Sequence, residues 1–187
     1  MPQRAFEFAQ KATILDDSLS LAHTVLGLVL LFRKQHGQAV AELERALALD
    51  PNFADVYAEL AHTLTYAGRP EEAIGIVRKA MRLNPNPPHL YYVWILGRAY
   101  HLTKQYEEAI PLLQRVVTRY PDYVPAHADL VIIYSELGRK GEAQAEVAEL
   151  LRINPNLSLE WVRQTVPFKD PAVLERFLEG LRKAGLK

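Results

Sequence analysis

The sequence contains no cysteine, which excludes disulfides, thiol nucleophiles and thiolate metal sites. It has no excess of either charge, because 22 Lys and Arg balance 22 Asp and Glu among 187 residues. No net field draws such a chain to nucleic acid or to an anionic membrane, so we expect neither as a partner. The longest apolar run, residues 25–32, is far shorter than the roughly 20 residues of a membrane-spanning helix.

Signals for export and for catalysis are also missing. The first residues, MPQRAFEFAQKA, lack the apolar core and cleavage site of a secretory signal, so we expect a cytoplasmic protein. No phosphate-binding glycine-rich loop, dinucleotide-binding motif or His-Glu-x-x-His motif occurs. None of the serines lies in a motif for a nucleophilic triad. The sequence therefore predicts a protein that is not an enzyme, with no catalytic residue, no cofactor and no metal.

Three columns of residues recur at a period of about 34 residues, which is typical of helical repeat proteins. The columns are Pro51, Pro85, Pro121 and Pro155; Ala39, Ala73, Ala109 and Ala143; and Leu26, Leu60, Leu96 and Leu130. Each unit reads as two amphipathic helices joined by a short polar turn, for example residues 54–67, the turn 68–70 and residues 71–83. The recurring alanines allow paired helices to approach closely.

The columns resemble the tetratricopeptide repeat, whose pattern is an aromatic, Leu-Gly, Tyr, Ala, a large apolar residue, Ala and Pro. The best unit contains Leu96-Gly97, Tyr100, Ala109 and Pro121. Two units depart from the pattern, with Ala61 and Val131 in place of glycine, and we expect looser contacts there. The resemblance implies an all-α, right-handed superhelical solenoid of antiparallel helix pairs that binds other proteins.

The repeat pattern divides the chain into six segments. They are 3–17, the second helix of a partial repeat; 18–51, 52–85, 86–121 and 122–155, four full units; and 156–187, carboxy-terminal capping helices. In the last segment, Ser158 and Asp170-Pro171 have the types expected at helix starts. We expect this segment to cover the apolar core of the last unit.

A narrower resemblance extends over the chain. The runs YAGRPEEAI, RKAMRLNPNPP and VPFKDPAVLERFLEGLRKAGL are similar to the carboxy-terminal repeat region of bacterial class III adenylate/guanylate cyclase-like multidomain regulators. This resemblance implies that the chain is the regulatory or assembly part of a signalling protein. It does not imply cyclase activity, because the chain contains no cyclase domain.

The six histidines do not form a metal-binding pattern. His23 and His127 occupy the aromatic column and are predicted to be packed, hydrogen-bonded core residues. His36 and His89 are expected to face solvent. His62 and His101 are predicted on the face opposite the core column, in different units, where a metal would need further ligands.

The first helices of such units line a concave groove, and their inner stripes supply the candidate partner-binding residues. These are Asp55, Glu59, His62, Tyr66, Tyr91, Trp94, Arg98, His101, Asp129 and Glu136. Tyr91, Trp94 and Arg98 are of the types that dominate binding energy and are the first candidates for a hot spot. Tyr91 and Trp94 are either exposed in the groove or packed against the neighbouring unit as core residues. Tetratricopeptide domains that bind acidic chain ends have Lys, Asn and Arg at set groove positions, whereas this chain has Thr24, Leu28, Glu59 and Arg98. The acidic residues around an aromatic centre favour a basic or amphipathic helical segment as the partner.

The groove stripe of the first full unit is almost wholly apolar. It comprises Leu21, Val25, Leu28, Leu31 and Phe32, and exposed apolar surface of this extent usually marks an interface. The stripe has three possible occupants: residues 3–15, a part of the protein upstream, or a second copy of the chain in a homo-dimer.

Overall fold

The computed structural model describes residues 2–85 and 89–187, in which eleven helices and no strand occur. The all-α helical repeat fold is therefore confirmed. The helices are α1 (Pro2–Leu15), α2 (Ser20–Phe32), α3 (His36–Leu49), α4 (Ala54–Tyr66), α5 (Pro70–Leu83), α6 (Leu90–Leu102), α7 (Tyr106–Arg119), α8 (Val124–Glu136), α9 (Lys140–Ile153), α10 (Leu159–Thr165) and α11 (Pro171–Lys183). Residues 86–88, at which the predicted third repeat begins and the motif RKAMRLNPNPP ends, lie outside the described residues. The repeat boundaries stay a prediction.

The chain forms two compact units. Unit 1 comprises Met1–Ile95 and Pro167–Lys169, and unit 2 comprises Leu96–Val166 and Asp170–Lys187. In unit 1, α1 packs against α2, α2 against α3, α3 against α4 and α4 against α5. In unit 2, α8 packs against α7, α9 and α11, and α11 also packs against α10.

The turn inside each helix pair contains one residue in the left-handed conformation. Gly68 and Gly138 have φ of 80° and 71°, and Lys34 and Lys104, at the equivalent positions, have φ of 61° and 62°. The next residue in each turn donates its main-chain N–H to a carbonyl near the end of the preceding helix, for example Arg69 to Leu64 at 2.9 Å. Glycine adopts this conformation without strain, whereas a lysine raises the free energy of the fold there by about 1 kcal/mol.

Close helix contacts explain the glycines of the Leu-Gly column. A Cβ placed on Gly27 in α2 would lie 2.8 Å from Cγ of Leu43 in α3 and 3.1 Å from the carbonyl oxygen of Ala39. A Cβ on Gly97 in α6 would lie 3.0 Å from Cγ and Cδ2 of Leu113 in α7. Both leucines are fully buried, so glycine and leucine together fill the seam.

The units without this glycine compensate on the facing helix. Ala61 and Val131 stand at the glycine position, and both are fully buried. The position of the facing leucine is then taken by the shorter Val77 and Val147. A larger residue on one helix is thus paired in the sequence with a smaller one on the other, which keeps the volume of the seam similar; the looser contacts stay a prediction.

The aromatic column is tied to the chain six residues earlier. The Tyr57 hydroxyl donates to the carbonyl oxygen of Pro51 at 3.1 Å. In the same way, the Nε2 atoms of His23 and His127 lie 3.0 and 2.8 Å from the carbonyl oxygens of Asp17 and Pro121. Both histidines are buried, which confirms their prediction as hydrogen-bonded core residues.

The second ring nitrogen of His23 and of His127 contacts a carboxylate. Nδ1 of His23 lies 2.7 Å from Glu42, and Nδ1 of His127 is bonded to Glu146. Burial alone lowers the pKa of His127, but the hydrogen bonds to Glu146 and to the Pro121 carbonyl outweigh it and raise the pKa above its ordinary value. Both ring nitrogens face acceptors, so this site favours the imidazolium form.

Candidate functional site

Five of the predicted groove residues meet in unit 1. Glu59, His62 and Tyr66 share one face of α4, and Tyr91 and Trp94 come from the first turns of α6. The Tyr91 hydroxyl donates to Glu59 at 2.8 Å and lies 3.2 Å from Nδ1 of His62. The His62 ring is 5.1 Å from the rings of both Tyr66 and Trp94, measured between centroids. These five side chains therefore lie together in one cluster, and their role in binding a partner stays a prediction.

This cluster is more enclosed than the sequence suggested. Trp94 is only 2% exposed and His62 8%, while Glu59 and Tyr91 are half-buried. Of the two alternatives for Trp94, the structure has the packed one, because its ring contacts His62 and Tyr91 within unit 1. Tyr91 and Glu59 are the members of the cluster that a partner can reach.

Asp55, another predicted groove residue, accepts a hydrogen bond from the Tyr92 hydroxyl. Asp55 is exposed, whereas Tyr92 is almost fully buried. Burial, and next the bond to Asp55, raise the pKa of Tyr92 to about 12. The tyrosine thus stays neutral and holds the Asp55 carboxylate beside the start of α4.

In unit 2, Arg98, His101 and Asp129 form a buried charged group. The Arg98 Nη1 atom lies 3.5 Å from one oxygen of Asp129, and Nδ1 of His101 lies 3.1 Å from the other. The three residues are at most 5% exposed. The expectation that Arg98 and His101 face a partner was wrong, because their charge and ring are directed to Asp129 across the α6–α8 packing.

Glu136, the last predicted groove residue, also has partners within unit 2. It accepts a hydrogen bond from the Tyr106 hydroxyl, and its carboxylate lies 3.9 Å from Nε of Arg176 in α11. Burial, and then the bond to Glu136, raise the pKa of Tyr106 to about 12. A face of α8 predicted to meet a partner therefore carries α11 of the same chain.

A second part of the carboxy-terminal segment lies in unit 1. The main-chain N–H of Lys169 donates to the carbonyl oxygen of Tyr66 at 3.0 Å, and the Phe168 and Tyr66 rings are 5.1 Å apart. The expectation that His36 faces solvent was wrong: it is buried, with Nε2 2.6 Å from the Pro167 carbonyl oxygen. Residues 167–169 therefore cover both Tyr66 and His36.

The apolar stripe of α2 stays largely open. Phe32 is 60% exposed, Leu21 54% and Val25 44%, and Leu28 is half-buried. Leu31 was wrongly included, because it is fully buried on the side of α2 that faces the core.

Sequence reasoning missed that the open apolar surface extends beyond α2. Phe8, Ile14 and Leu15 of α1 and Leu19 before α2 are all exposed. The sequence analysis predicted a helix over residues 3–15, but not that its apolar side chains are exposed. We name the seven exposed residues the amino-terminal patch; they are Phe8, Ile14, Leu15, Leu19, Leu21, Val25 and Phe32.

These surfaces carry the types of side chain that proteins use to contact one another. In the part of the chain that the structure describes, no three His, Asp or Glu side chains are arranged to hold a metal ion. The helices within residues 2–85 and 89–187 include none with the length and apolarity needed to cross a membrane. Open apolar side chains on one surface and half-buried carboxylate and phenol groups on another can both bind a helix or a peptide.

Comparison with curated proteins gives partial similarities. Superkiller complex protein 3 of Homo sapiens is 33% identical over 100 residues, which is 54% of this chain and 6% of that protein. Putative adenylate cyclase 3 of Rhizobium meliloti (strain 1021) is 42% identical over 38 residues, which is 20% of this chain and 6% of that protein. The chain spans less than a tenth of the length of these relatives.

Comparison with solved structures shows the fold. PilW, described as a widely conserved type IV pilus biogenesis factor, superposes with a TM-score of 0.74 at 19% identity, over 98% of this chain and 81% of that one. The family model described as tetratricopeptide repeat matches residues 30–93 and 101–161, more than half of the chain. Together with the paired helices and the packed Leu-Gly column, this match shows that the chain belongs to the tetratricopeptide repeat family.

Proposed function

We propose that the chain is a non-catalytic scaffold that binds a protein partner through the faces of its first helices, with the amino-terminal patch as the main contact. The partner segment is a helix with an apolar side. The observation that carries this proposal is the exposure of Leu21, Val25 and Phe32 on one stripe of α2, together with exposed apolar side chains on α1. Contiguous apolar surface of this kind is costly to leave in water and usually marks an interface.

The composition of α2 indicates how this contact is made. Residues 20–32 include no Asp, Glu, Lys or Arg, so the contact depends on apolar burial with little help from charge. Burial of a large apolar side chain contributes about 1.5 to 3 kcal/mol, and the three exposed residues of α2 can therefore dominate the binding energy.

The predicted groove residues of unit 1 add an acidic, aromatic contact to the proposal. Asp55 is exposed, and Glu59 and Tyr91 are half-buried, so these three can meet a basic side chain of the partner. The other predicted residues of unit 1, His62, Tyr66 and Trp94, are buried and support this surface from beneath. A basic or amphipathic helix fits such a surface better than an acidic chain end does.

The first experiment measures self-association. Light scattering behind size exclusion is carried out on the wild-type protein and on Phe32→Glu over a wide range of concentrations. A dimer that Phe32→Glu dissociates without loss of helicity identifies a second copy as the partner. Leu137→Glu is the matched control, because Leu137 is also an exposed large apolar residue at the end of a helix, 45% accessible and next to the last residue of α8.

If the wild-type protein is monomeric, the partner is a different protein and a second experiment is needed. A photo-reactive phenylalanine analogue at position 25 then cross-links any protein that contacts the patch in cells. The same analogue in the Phe32→Glu variant is the negative comparison. A monomer that gives no cross-link from position 25, or the same cross-links in Phe32→Glu, contradicts the proposal.

A second candidate function is a regulatory or assembly module of a nucleotide cyclase-type signalling protein. The observation that favours it is the similarity to putative adenylate cyclase 3 over 38 residues. If a cyclase domain is encoded in the same reading frame, Phe32→Glu in the full protein is expected to change cyclase activity or its dependence on concentration. Unchanged activity and assembly in that variant argue against this candidate.

A further inference from the structure

Helix α11 is seated closely on α8 within unit 2. A Cβ placed on Gly180 would lie 2.7 Å from Cδ1 and 3.3 Å from Cγ2 of Ile132. Next to this crossing, the Ser135 hydroxyl donates to the carbonyl oxygen of Gly180 at 3.0 Å. The absence of a side chain at position 180 therefore determines how near the two helices lie.

The two sides of α11 differ in character. Phe177, Leu178 and Leu181 are buried, whereas Arg182 and Lys183 are exposed. Such a helix is amphipathic, and its apolar side covers the apolar part of the α8 surface.

One charged contact orients α11 on α8. Arg176 lies 3.9 Å from the carboxylate of Glu136, which also accepts a bond from the Tyr106 hydroxyl. This pair is partly exposed, so it contributes more to orientation than to affinity. A basic residue of a helix thus meets an acidic residue that the sequence assigned to partner binding.

We infer that α11 is an intramolecular occupant of a helix-binding surface, and that this surface of α8 accepts an external amphipathic helix of the same pattern. That pattern is an apolar side like that of Phe177, Leu178 and Leu181, a small residue at the crossing with Ile132, and a basic residue opposite Glu136. The inference rests on the proposed function, since it names a second place where first helices bind a partner segment.

An occupant within the chain lowers the apparent affinity for an external helix. The external helix binds only the fraction of molecules in which α11 is released, so apparent affinity falls by that fraction. A change that loosens α11 but leaves α8 unaltered therefore increases binding of an external helix. Gly180→Leu is such a change. The new side chain clashes with Ile132 and loosens α11, while the substitution leaves every residue of α8 as it is.

The probe is a fluorescent synthetic peptide with the sequence of residues 170–187, added to the full chain. We expect Gly180→Leu to bind this peptide at least about tenfold more tightly than the wild-type protein does. Gly75→Leu is the matched control: a Cβ at Gly75 in α5 has no atom within 4 Å, so the same substitution on a helix leaves binding unchanged. Amide hydrogen exchange in residues 171–183 is measured on every variant.

A charge exchange tests the orientation of the bound helix. Glu136→Arg, combined with Gly180→Leu, is expected to bind the peptide more weakly, and a peptide carrying Arg176→Glu is expected to restore binding. The four combinations pair Gly180→Leu, with or without Glu136→Arg, with the original peptide or the Arg176→Glu peptide. Equal affinities in all four contradict the inferred orientation of the helix on α8.

Several results overturn the inference. If exchange in residues 171–183 accelerates without tighter binding of the peptide, the α8 surface is not a site for external helices. Leu178→Ser is a second variant, which replaces a fully buried leucine of α11. If amide hydrogen exchange in residues 171–183 stays slow in both Gly180→Leu and Leu178→Ser, then α11 is a fixed part of the fold. The same conclusion follows if the amides of α8 and α9 lose protection together with those of α11. By contrast, dimerisation of Gly180→Leu that the added peptide reverses would support the inference and identify α11 of a second copy as the external helix. Cross-linking from position 25 is scored separately, so failure here is distinguishable from failure of the proposed function.

Discussion

Gly27→Ala tests whether close packing at the seam of a helix pair determines stability. The new Cβ would lie 2.8 Å from Cγ of Leu43 and 3.1 Å from the Ala39 carbonyl oxygen, well inside the 3.5 to 4.0 Å or so at which carbon atoms pack. Overpacking of this kind costs about 1 to 3 kcal/mol. Alanine also favours the helix by about 1 kcal/mol over glycine, so the net destabilisation is between about 0 and 2 kcal/mol.

The control isolates the steric part of that sum. A Cβ at Gly75 has no neighbour within 4 Å, so Gly75→Ala gains only the helix propensity of about 1 kcal/mol. The two variants should differ by about 1 to 3 kcal/mol in the free energy of unfolding. Urea unfolding followed by circular dichroism measures this difference, and amide hydrogen exchange shows whether it is confined to α2 and α3.

A second substitution provides the decisive comparison. Leu43→Val by itself costs about 1 kcal/mol through the space it leaves. In the Gly27→Ala background it should cost little or restore stability, because the pair then matches Ala61 and Val77. Equal stabilisation by Gly27→Ala and Gly75→Ala, or simple additivity of the two seam substitutions, would refute the reasoning.

Three further predictions follow from contacts in the helix pairs. Because the pKa of His127 is raised in the folded state, its contribution to stability is full below about pH 6.5 and is lost as pH rises through the folded pKa. The urea midpoint should therefore fall as pH rises through these values, and it should fall less in Glu146→Gln than in the wild type. Asp129→Asn removes the buried carboxylate partner of Arg98, and urea unfolding should show a loss of about 3 to 5 kcal/mol; a loss below about 1 kcal/mol would contradict the burial of this charge pair. Lys104→Gly relieves a left-handed residue at φ 62° and should raise the thermal midpoint, corresponding to about 1 kcal/mol, whereas an unchanged midpoint would show that no strain is held there.

The repeat columns gave reliable predictions because they report local and recurring contacts. The spacing of the leucines and alanines predicted helix pairs, and the buried Leu26, Ala39 and Leu43 lie where that spacing placed them. The histidines of the aromatic column are buried and bonded six residues back along the chain, within reach of sequence reasoning. Ser158 and Asp170 accept bonds from the main-chain N–H groups of Trp161 and Ala172, as their residue types indicated.

The predictions that failed depend on what covers a helix face, which periodicity does not report. His36 is bonded to a carbonyl 131 residues later in the chain, and no spacing in the sequence indicates such a contact. Trp94 lies on the predicted face, yet its neighbours enclose it. One signal for the seat of α11 was present: Gly180 interrupts the apolar stripe of an amphipathic helix, and a glycine at such a place often allows close approach of another element.

The alternation of seam residues along the array also bears on how the helices find their partners during folding. If α2 paired with α5 in unit 1, Gly27 would face Val77, which is smaller than Leu43, and the pair would leave space unfilled. If α4 paired with α3, Ala61 would face Leu43, and the two side chains would compete for the same volume. Neighbouring repeats are similar enough in sequence to exchange helices, which is a characteristic failure of repeat proteins. Each seam therefore fits its own partner helix better than that of the next repeat, which favours pairing of the helices in chain order.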